Sequence, residues 1–203
     1  MALNLNHPPN RIGVFGASGS GKTTLAAKYA ANARARVRCF YDPELEWCRR
    51  FNVRPAGSPE TFAAGLAAGL VCFNPEGMFP DFESGLAYFC ETVFEAALQL
   101  RGPILVGVDE LQDYVKPGWM PPELKQIMQR GRRREIDLLM IGQTPAELGP
   151  KVRTQLESVF VFQFSEANAL DWAGGYGFDP DAVQSLGPHR WLWRDRWGKT
   201  AAG

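Results

Sequence analysis

Eight consecutive residues carry the plainest chemistry in the chain. Gly16-Ala17-Ser18-Gly19-Ser20-Gly21-Lys22-Thr23 fits the pattern G-x-x-x-x-G-K-[ST] in full. Glycines at such spacing let successive backbone N–H groups turn inward around an anion with no Cβ in the way. A helix that starts directly afterwards points its positive end at the same anion. In such a loop Lys22 reaches the outer phosphates of a nucleotide and the Thr23 hydroxyl ligates Mg²⁺, while Thr24 closes the cradle. The plainer alternative is a glycine-rich turn between a strand and a helix. An apolar run before the loop and a helical pattern after it favour the phosphate cradle.

A second group follows far along the chain. Ile104-Leu105-Val106-Gly107-Val108-Asp109-Glu110 is an apolar strand ending in two carboxylates. Continued strand register would point them to opposite sides. Asp109 suits a Mg²⁺ ligand and Glu110 a general base that takes a proton from water. Small-molecule kinases usually lack the second carboxylate, and no N-K-x-D guanine motif occurs. Asp113, just beyond, reads as a solvated loop residue, as do Asp42, Glu44 and Glu46 earlier in the chain.

A third group runs Arg130-Gly131-Arg132-Arg133-Arg134, then the apolar Leu138–Ile141, then Gly142-Gln143-Thr144. Sites in parallel sheets lie at strand ends. If this strand neighbours the one ending in Asp109, Gln143 stands where it senses the outermost phosphate or positions water. The arginines have three readings: a finger into a neighbouring subunit's site, contacts to DNA phosphates, or a solvated basic face.

The elements that position these groups alternate. Strands are expected at Arg11–Phe15, Val37–Tyr41, Leu70–Phe73, Ile104–Val108, Leu138–Ile141 and Val159–Phe164. Helical patterns occupy Thr23–Arg34, Thr61–Leu70, the stretch from Asp81 to Arg101, and Pro121 to Arg130, with short turns over Glu44–Arg50 and Glu166–Trp172. Arg190–Trp197 alternates Trp and Arg like an exposed edge strand. The alternation predicts an α/β domain with a mainly parallel central sheet flanked by helices.

Composition sets the bounds. The 203 residues suggest one domain, 1–203, with a core of about 11–165 and a short C-terminal strand extension of about 166–203. Twenty-two Lys and Arg balance 22 Asp and Glu, which excludes a generic polycation that coats nucleic acid but leaves local basic patches open. Cys39, Cys48, Cys72 and Cys90 form no C-x-x-C pair, so reduced core cysteines are expected rather than a structural zinc site. Met1–Arg11 is no signal peptide and Phe62–Phe73 is too short to span a bilayer. Lys116, Gly118 and Trp119 form a loop after the acidic pair, with Trp119 expected to cap the core. His7 and His189 read as surface residues.

In this order, GASGSGKT, ILVGVDE and GRRREIDLLMIGQTP resemble the FtsK/HerA superfamily of ring-forming DNA-translocating ATPases. Leu186-Gly187-Pro188-His189-Arg190-Trp191 resembles that group's approach to a terminal strand. The length is similar to the genome-packaging ATPases of membrane-containing icosahedral viruses such as tectiviruses. The resemblance implies a RecA-like P-loop core with the glycine-loop strand central. It implies ATP and Mg²⁺ held by Lys22, Thr23 and Asp109, water activated by Glu110, and Gln143 reporting the γ-phosphate. Arg132 or Arg133 of the next subunit completes the site. The implied partners are double-stranded DNA, a pentameric or hexameric ring of copies of this chain, and a capsid or portal protein, in host-cell cytoplasm or on the virion. Filamentous-phage assembly, conjugation, or an AAA+-like action on a protein are the alternatives. Arg190, Arg194 and Arg196, interleaved with Trp191, Trp193 and Trp197, are a further DNA-contact candidate against the plainer picture of inward Trp and solvated Arg.

Overall fold

The apolar runs assemble into one sheet of eight strands, in a computed structural model that describes residues 11–116, 119–145, 148 and 150–203. In chain order the strands are β1 (Arg11–Phe15), β2 (Val37–Tyr41), β3 (Leu70–Phe73), β4 (Ile104–Val108), β5 (Ile136–Gly142), β6 (Ser158–Val161), β7 (Leu192–Asp195) and β8 (Thr200–Ala202). Across the sheet the order is β3-β2-β4-β5-β1-β6-β7-β8. The first six are mutually parallel; β7 and β8 add an antiparallel hairpin beyond β6. The architecture is the α/β fold expected, with the glycine-loop strand β1 in the interior between β5 and β6.

The helices are α1 (Lys22–Asn32), α2 (Glu46–Phe51), α3 (Pro59–Ala68), α4 (Phe82–Ala96), α5 (Pro122–Arg130), α6 (Pro150–Arg153), α7 (Ala167–Tyr176) and α8 (Pro180–Gln184). Strand alternation sorts the core into two layers. Val37, Cys39 and Tyr41 of β2 and Ile104, Val106 and Val108 of β4 join Phe89 and Val93 of α4 and Ile127 of α5. Phe40, Leu105, Leu139 and Ile141 face the other way, against Ala26 and Ala30 of α1 and Trp47 of α2. All four cysteines are buried and free. Among the described residues no helix is long and apolar enough to cross a membrane.

Several bounds differ from the sequence reading. β5 starts two residues early because Ile136 and Asp137 already pair with Ile104 and Leu105. β6 ends at Val161; Phe162 still donates to the Phe15 carbonyl at 2.8 Å, but Gln163 turns to the glycine loop. β7 is no edge strand, because β8 pairs outside it. Trp191 and Trp193 pack on Phe160, as the plainer picture had it, while Arg196 stacks over Trp197. Trp119 is 44% exposed and does not cap the core; Lys116 and Trp119 bridge each other, while Gly118 and His7 lie outside the described residues. Asp42 is buried, not solvated: its carboxylate accepts the Trp47 and Cys48 N–H groups at 3.1 and 2.8 Å and so starts α2. Cys48 and Cys72 lie beside it, the three ligand atoms within 4.8 Å of one another.

Candidate nucleotide site

The loop between β1 and α1 is built to leave its donors open. Gly19 and Gly21 hold φ of +74° and +102°, where a side chain would be strained. Gly21 is the N-cap of α1, with no side-chain cap and no acid in the first turn. By contrast α3, α4 and α8 are capped by Ser58, Asp81 and Asp179. The first N–H groups of α1 are therefore free for an anion. The Ser20 hydroxyl is buried with no partner. Lys22 is buried, and its Nζ donates to the Ala17 carbonyl at 3.0 Å. Burial pulls the Lys22 amine below its usual pKa, against the opposing pull of Glu110 and Asp109. A polyphosphate fits this cradle: it supplies acceptors for an orphaned hydroxyl, uncapped amides and a buried cation.

Two strands away the acidic pair meets it. β4 lies beside β5, which lies beside β1, so the ends of all three strands converge. The Thr23 hydroxyl donates to Asp109 Oδ2 at 3.2 Å. One hydroxyl and one carboxylate, both hard oxygen donors, fit Mg²⁺, which keeps several of its waters. Burial foremost, with Glu110 adding repulsion, pushes the Asp109 carboxyl up to about 6, although the Glu110 N–H and the Thr23 hydroxyl hold it down.

Glu110 departs from the expected strand alternation. β4 ends at Val108, and Glu110 takes φ +45°, a left-handed turn rare outside glycine. Both carboxylates thus line one cavity of about 540 Å³ instead of pointing apart. Gln143 leaves the end of β5 beside them, its Nε2 3.4 Å from Glu110 Oε1. The condition set by the sequence, that the two strands be neighbours, is met. The sequence reading missed Gln112, whose amide donates to the Glu110 carboxylate and whose Oε1 accepts the Gln143 N–H at 3.3 Å. Asp113 stays exposed, yet its carboxyl rises through burial and then through Glu110. Thr24 accepts from Arg50 Nη1 at 3.2 Å, and Arg50 pairs with Glu46.

The arginines are not brought to this site within the chain. The turn Gly131–Arg134 precedes β5 and Gln143 follows it, so a strand of about 20 Å separates them. At that far end Glu157, buried, pairs with Arg132 and with Arg196 (2.6 Å), and Arg11 lies 3.9 Å away. Arg134 stacks over Phe94 at 3.6 Å and pairs with Glu95. Arg133 is exposed and makes no ion pair among the described residues.

The loop Leu186–Trp191 leads into β7, as the resemblance implied, but it also returns to the cradle, which the sequence did not show. A Cβ on Gly21 would meet His189 Nδ1 at 2.9 Å. His189 is exposed, as the sequence suggests, but it lies against the glycine loop and not on a featureless surface.

Three comparisons with known proteins bear on the site. No family model matches the chain. Protein P9 of Pseudoalteromonas phage PM2 is 28% identical over 158 residues, covering 77% of this chain and 69% of that protein. The genome packaging NTPase B204 of Sulfolobus turreted icosahedral virus 2, in complex with AMP, superposes with a TM-score of 0.76 at 18% identity, over 97% of each chain. Its complex with AMPPCP gives 0.75 at 19% identity, again over 97% of each. The N-terminal domain of zonular occludens toxin from Neisseria meningitidis gives 0.52 at 14% identity, over 97% of this chain and 94% of that one. The fold is that of a P-loop NTPase, shared along almost the whole chain with B204.

Proposed function

We propose that this chain is a Mg²⁺-dependent ATPase that drives double-stranded DNA into a viral capsid, working as a ring of identical subunits. The observation that carries the enzymatic part is the meeting of Thr23 and Asp109 at 3.2 Å at the mouth of an uncapped glycine loop, with Glu110 and Gln143 alongside. The packaging part draws on the likeness to B204, described as a genome packaging NTPase with structures in complex with AMPPCP and ATP-gammaS, and on the likeness to phage PM2 protein P9.

The residues divide the work. The N–H groups of Gly16, Ser18, Gly19 and Gly21, with those of Lys22, Thr23 and Thr24, hold the phosphates, while those of Ala17 and Ser20 are bonded to the Gln163 and Ala17 carbonyls and shape the loop. Lys22 leaves the Ala17 carbonyl to neutralise charge on the outer phosphates. Thr23 and Asp109 hold Mg²⁺, which when bound supplies positive charge against the leaving phosphates. Glu110 takes the proton of the attacking water, and Gln112 and Gln143 fix its carboxylate and the water's direction. Arg133 serves a neighbouring subunit's site; Arg132, already paired with Glu157, does not suit that role. A pentameric or hexameric ring docking on a capsid or portal protein, in the host cytoplasm or on the virion, completes the reading.

The test is steady-state ATP hydrolysis with and without duplex and single-stranded DNA, with Lys22→Ala as the blank. Stimulation by duplex DNA is expected. Hydrolysis that survives Lys22→Ala, or that ignores DNA of either form, overturns the reading. Arg133→Ala subunits mixed with wild type should depress activity by more than their fraction. Activity proportional to the wild-type fraction removes Arg133 from the neighbour's site.

A further inference from the structure

We infer that the loop Leu186–Trp191 builds the adenosine side of the nucleotide site, with the His189 imidazole as its contact group. The inference rests on the nucleotide-binding reading above and adds to it the wall that recognises the organic half of the ligand.

The argument starts from direction. A triphosphate has two ends. The groups suited to its outer end, Asp109, Glu110 and Gln143, leave β4 and β5, which lie on one side of β1 in the sheet. The inner phosphate and the adenosine must then leave the cradle on the other side of β1, over β6 and β7. On the β2 side Arg50 is bonded to Thr24 and paired with Glu46. On the β6 side the chain supplies the 186–191 connection into β7.

That connection is registered to the cradle. The Ala17 N–H donates to the Gln163 carbonyl at 3.4 Å, and the Gln163 side chain donates to the Gln184 carbonyl at 3.0 Å. Beyond the loop, Trp191 and Gly203 exchange backbone hydrogen bonds of 3.1 Å, and the Trp191 ring meets Phe160 edge-on at 5.3 Å. Between these anchors His189 adopts φ +58°, which costs a non-glycine residue roughly 1 kcal/mol. The strained residue puts its imidazole against Gly21, the residue that starts α1, where a Cβ would stand 2.9 Å from Nδ1 and 3.5 Å from a Phe162 ring carbon. The ring is exposed and makes no hydrogen bond among the described residues. A strained, anchored, unpartnered imidazole beside the first amides of α1 offers a flat face to a base and an N–H to the inner phosphate or ribose.

The variant that tests this is His189→Gly, because glycine keeps the backbone conformation while removing the ring. Calorimetric titration of the full chain would compare ATP, ADP and inorganic tripolyphosphate. Affinity for ATP and ADP should fall about tenfold, as for loss of one hydrogen-bonded or aromatic contact, with tripolyphosphate within about twofold of wild type. KM for ATP should rise by the same factor. Unchanged ATP affinity overturns the inference. So does an equal loss for tripolyphosphate, which would make the loop a prop for the cradle rather than a wall for adenosine. A wild-type chain that binds neither ATP nor tripolyphosphate in a Lys22-dependent way would instead sink the nucleotide reading itself.

Discussion

The two ends of the sheet hold similar residues in opposite states. At the end where β1, β4 and β5 finish, groups are held at a cost to the fold: an uncapped helix, an orphaned hydroxyl, a carboxyl raised to about 6, a residue at positive φ. At the end where β1, β5 and β6 begin, Glu157 gathers Arg132 and Arg196, with Arg11 alongside. Arg11 also donates to the Met128 carbonyl at 2.9 Å. One end stores polar groups for a ligand to satisfy; the other spends them on one another. A net charge of zero conceals this division.

The largest effect should come from the open end. Glu110→Gln should cut turnover by roughly 10²–10⁴-fold, the usual worth of a positioned general base, while ATP still binds. Its thermal midpoint should match or exceed that of wild type. Turnover within a few-fold of wild type would take Glu110 out of the chemistry.

The satisfied end should answer in stability instead. Glu157→Ala removes the acid beside the buried Arg11, which keeps its hydrogen bond to the Met128 carbonyl, and frees two more arginines. The loss should be about 3 kcal/mol, which lowers the melting midpoint by roughly 6–12 °C in a chain of this size. Denaturant unfolding would measure it. A cost below about 0.5 kcal/mol would reduce the cluster to the worth of a surface ion pair and dissolve the contrast.

Asp109 sharpens the comparison with the opposite sign. Its carboxyl titrates near 6 in the fold and near 3.9 when unfolded, so the unfolded chain gives up that proton first. Asp109 therefore contributes a cost that sets in as pH rises from about 4 to 6 and is fully present above. Asp109→Asn should stabilise the metal-free protein by about 1–3 kcal/mol at pH 7.5 and by nothing near pH 4. Melting curves at both values would read it. Destabilisation at pH 7.5 would mean that the ionised carboxylate is a net asset to the fold. Removing an acid thus strengthens one end and weakens the other.

Legibility followed the same division. β1, β2 and β4 carry the expected bounds because short apolar runs buried on both faces mark themselves. The glycine loop, Asp109, Glu110 and Gln143 were readable because they sit beside such runs. β8 was not readable: Thr200–Ala202 has no apolar pattern and forms only because β7 offers a partner. Gln112 and His189 were missed for a related reason. Their roles depend on a turn at positive φ and on a loop returning from more than 160 residues away, neither of which leaves a periodic trace. The Arg132–Glu157 pair left no trace either, because Glu157 stands 25 residues further on, outside any local window.

Glu110 leaves a mark beyond the single molecule. Its left-handed backbone costs roughly 1 kcal/mol that glycine or asparagine would not incur. Drift at this position therefore gains folding stability and loses the activity proposed for Glu110. Descendants of this chain that kept the fold but lost the proposed hydrolysis should accumulate glycine or asparagine at 110 early, before the glycine loop itself decays. The residue at 110 would then separate chains that keep the proposed activity from inherited scaffolds by inspection.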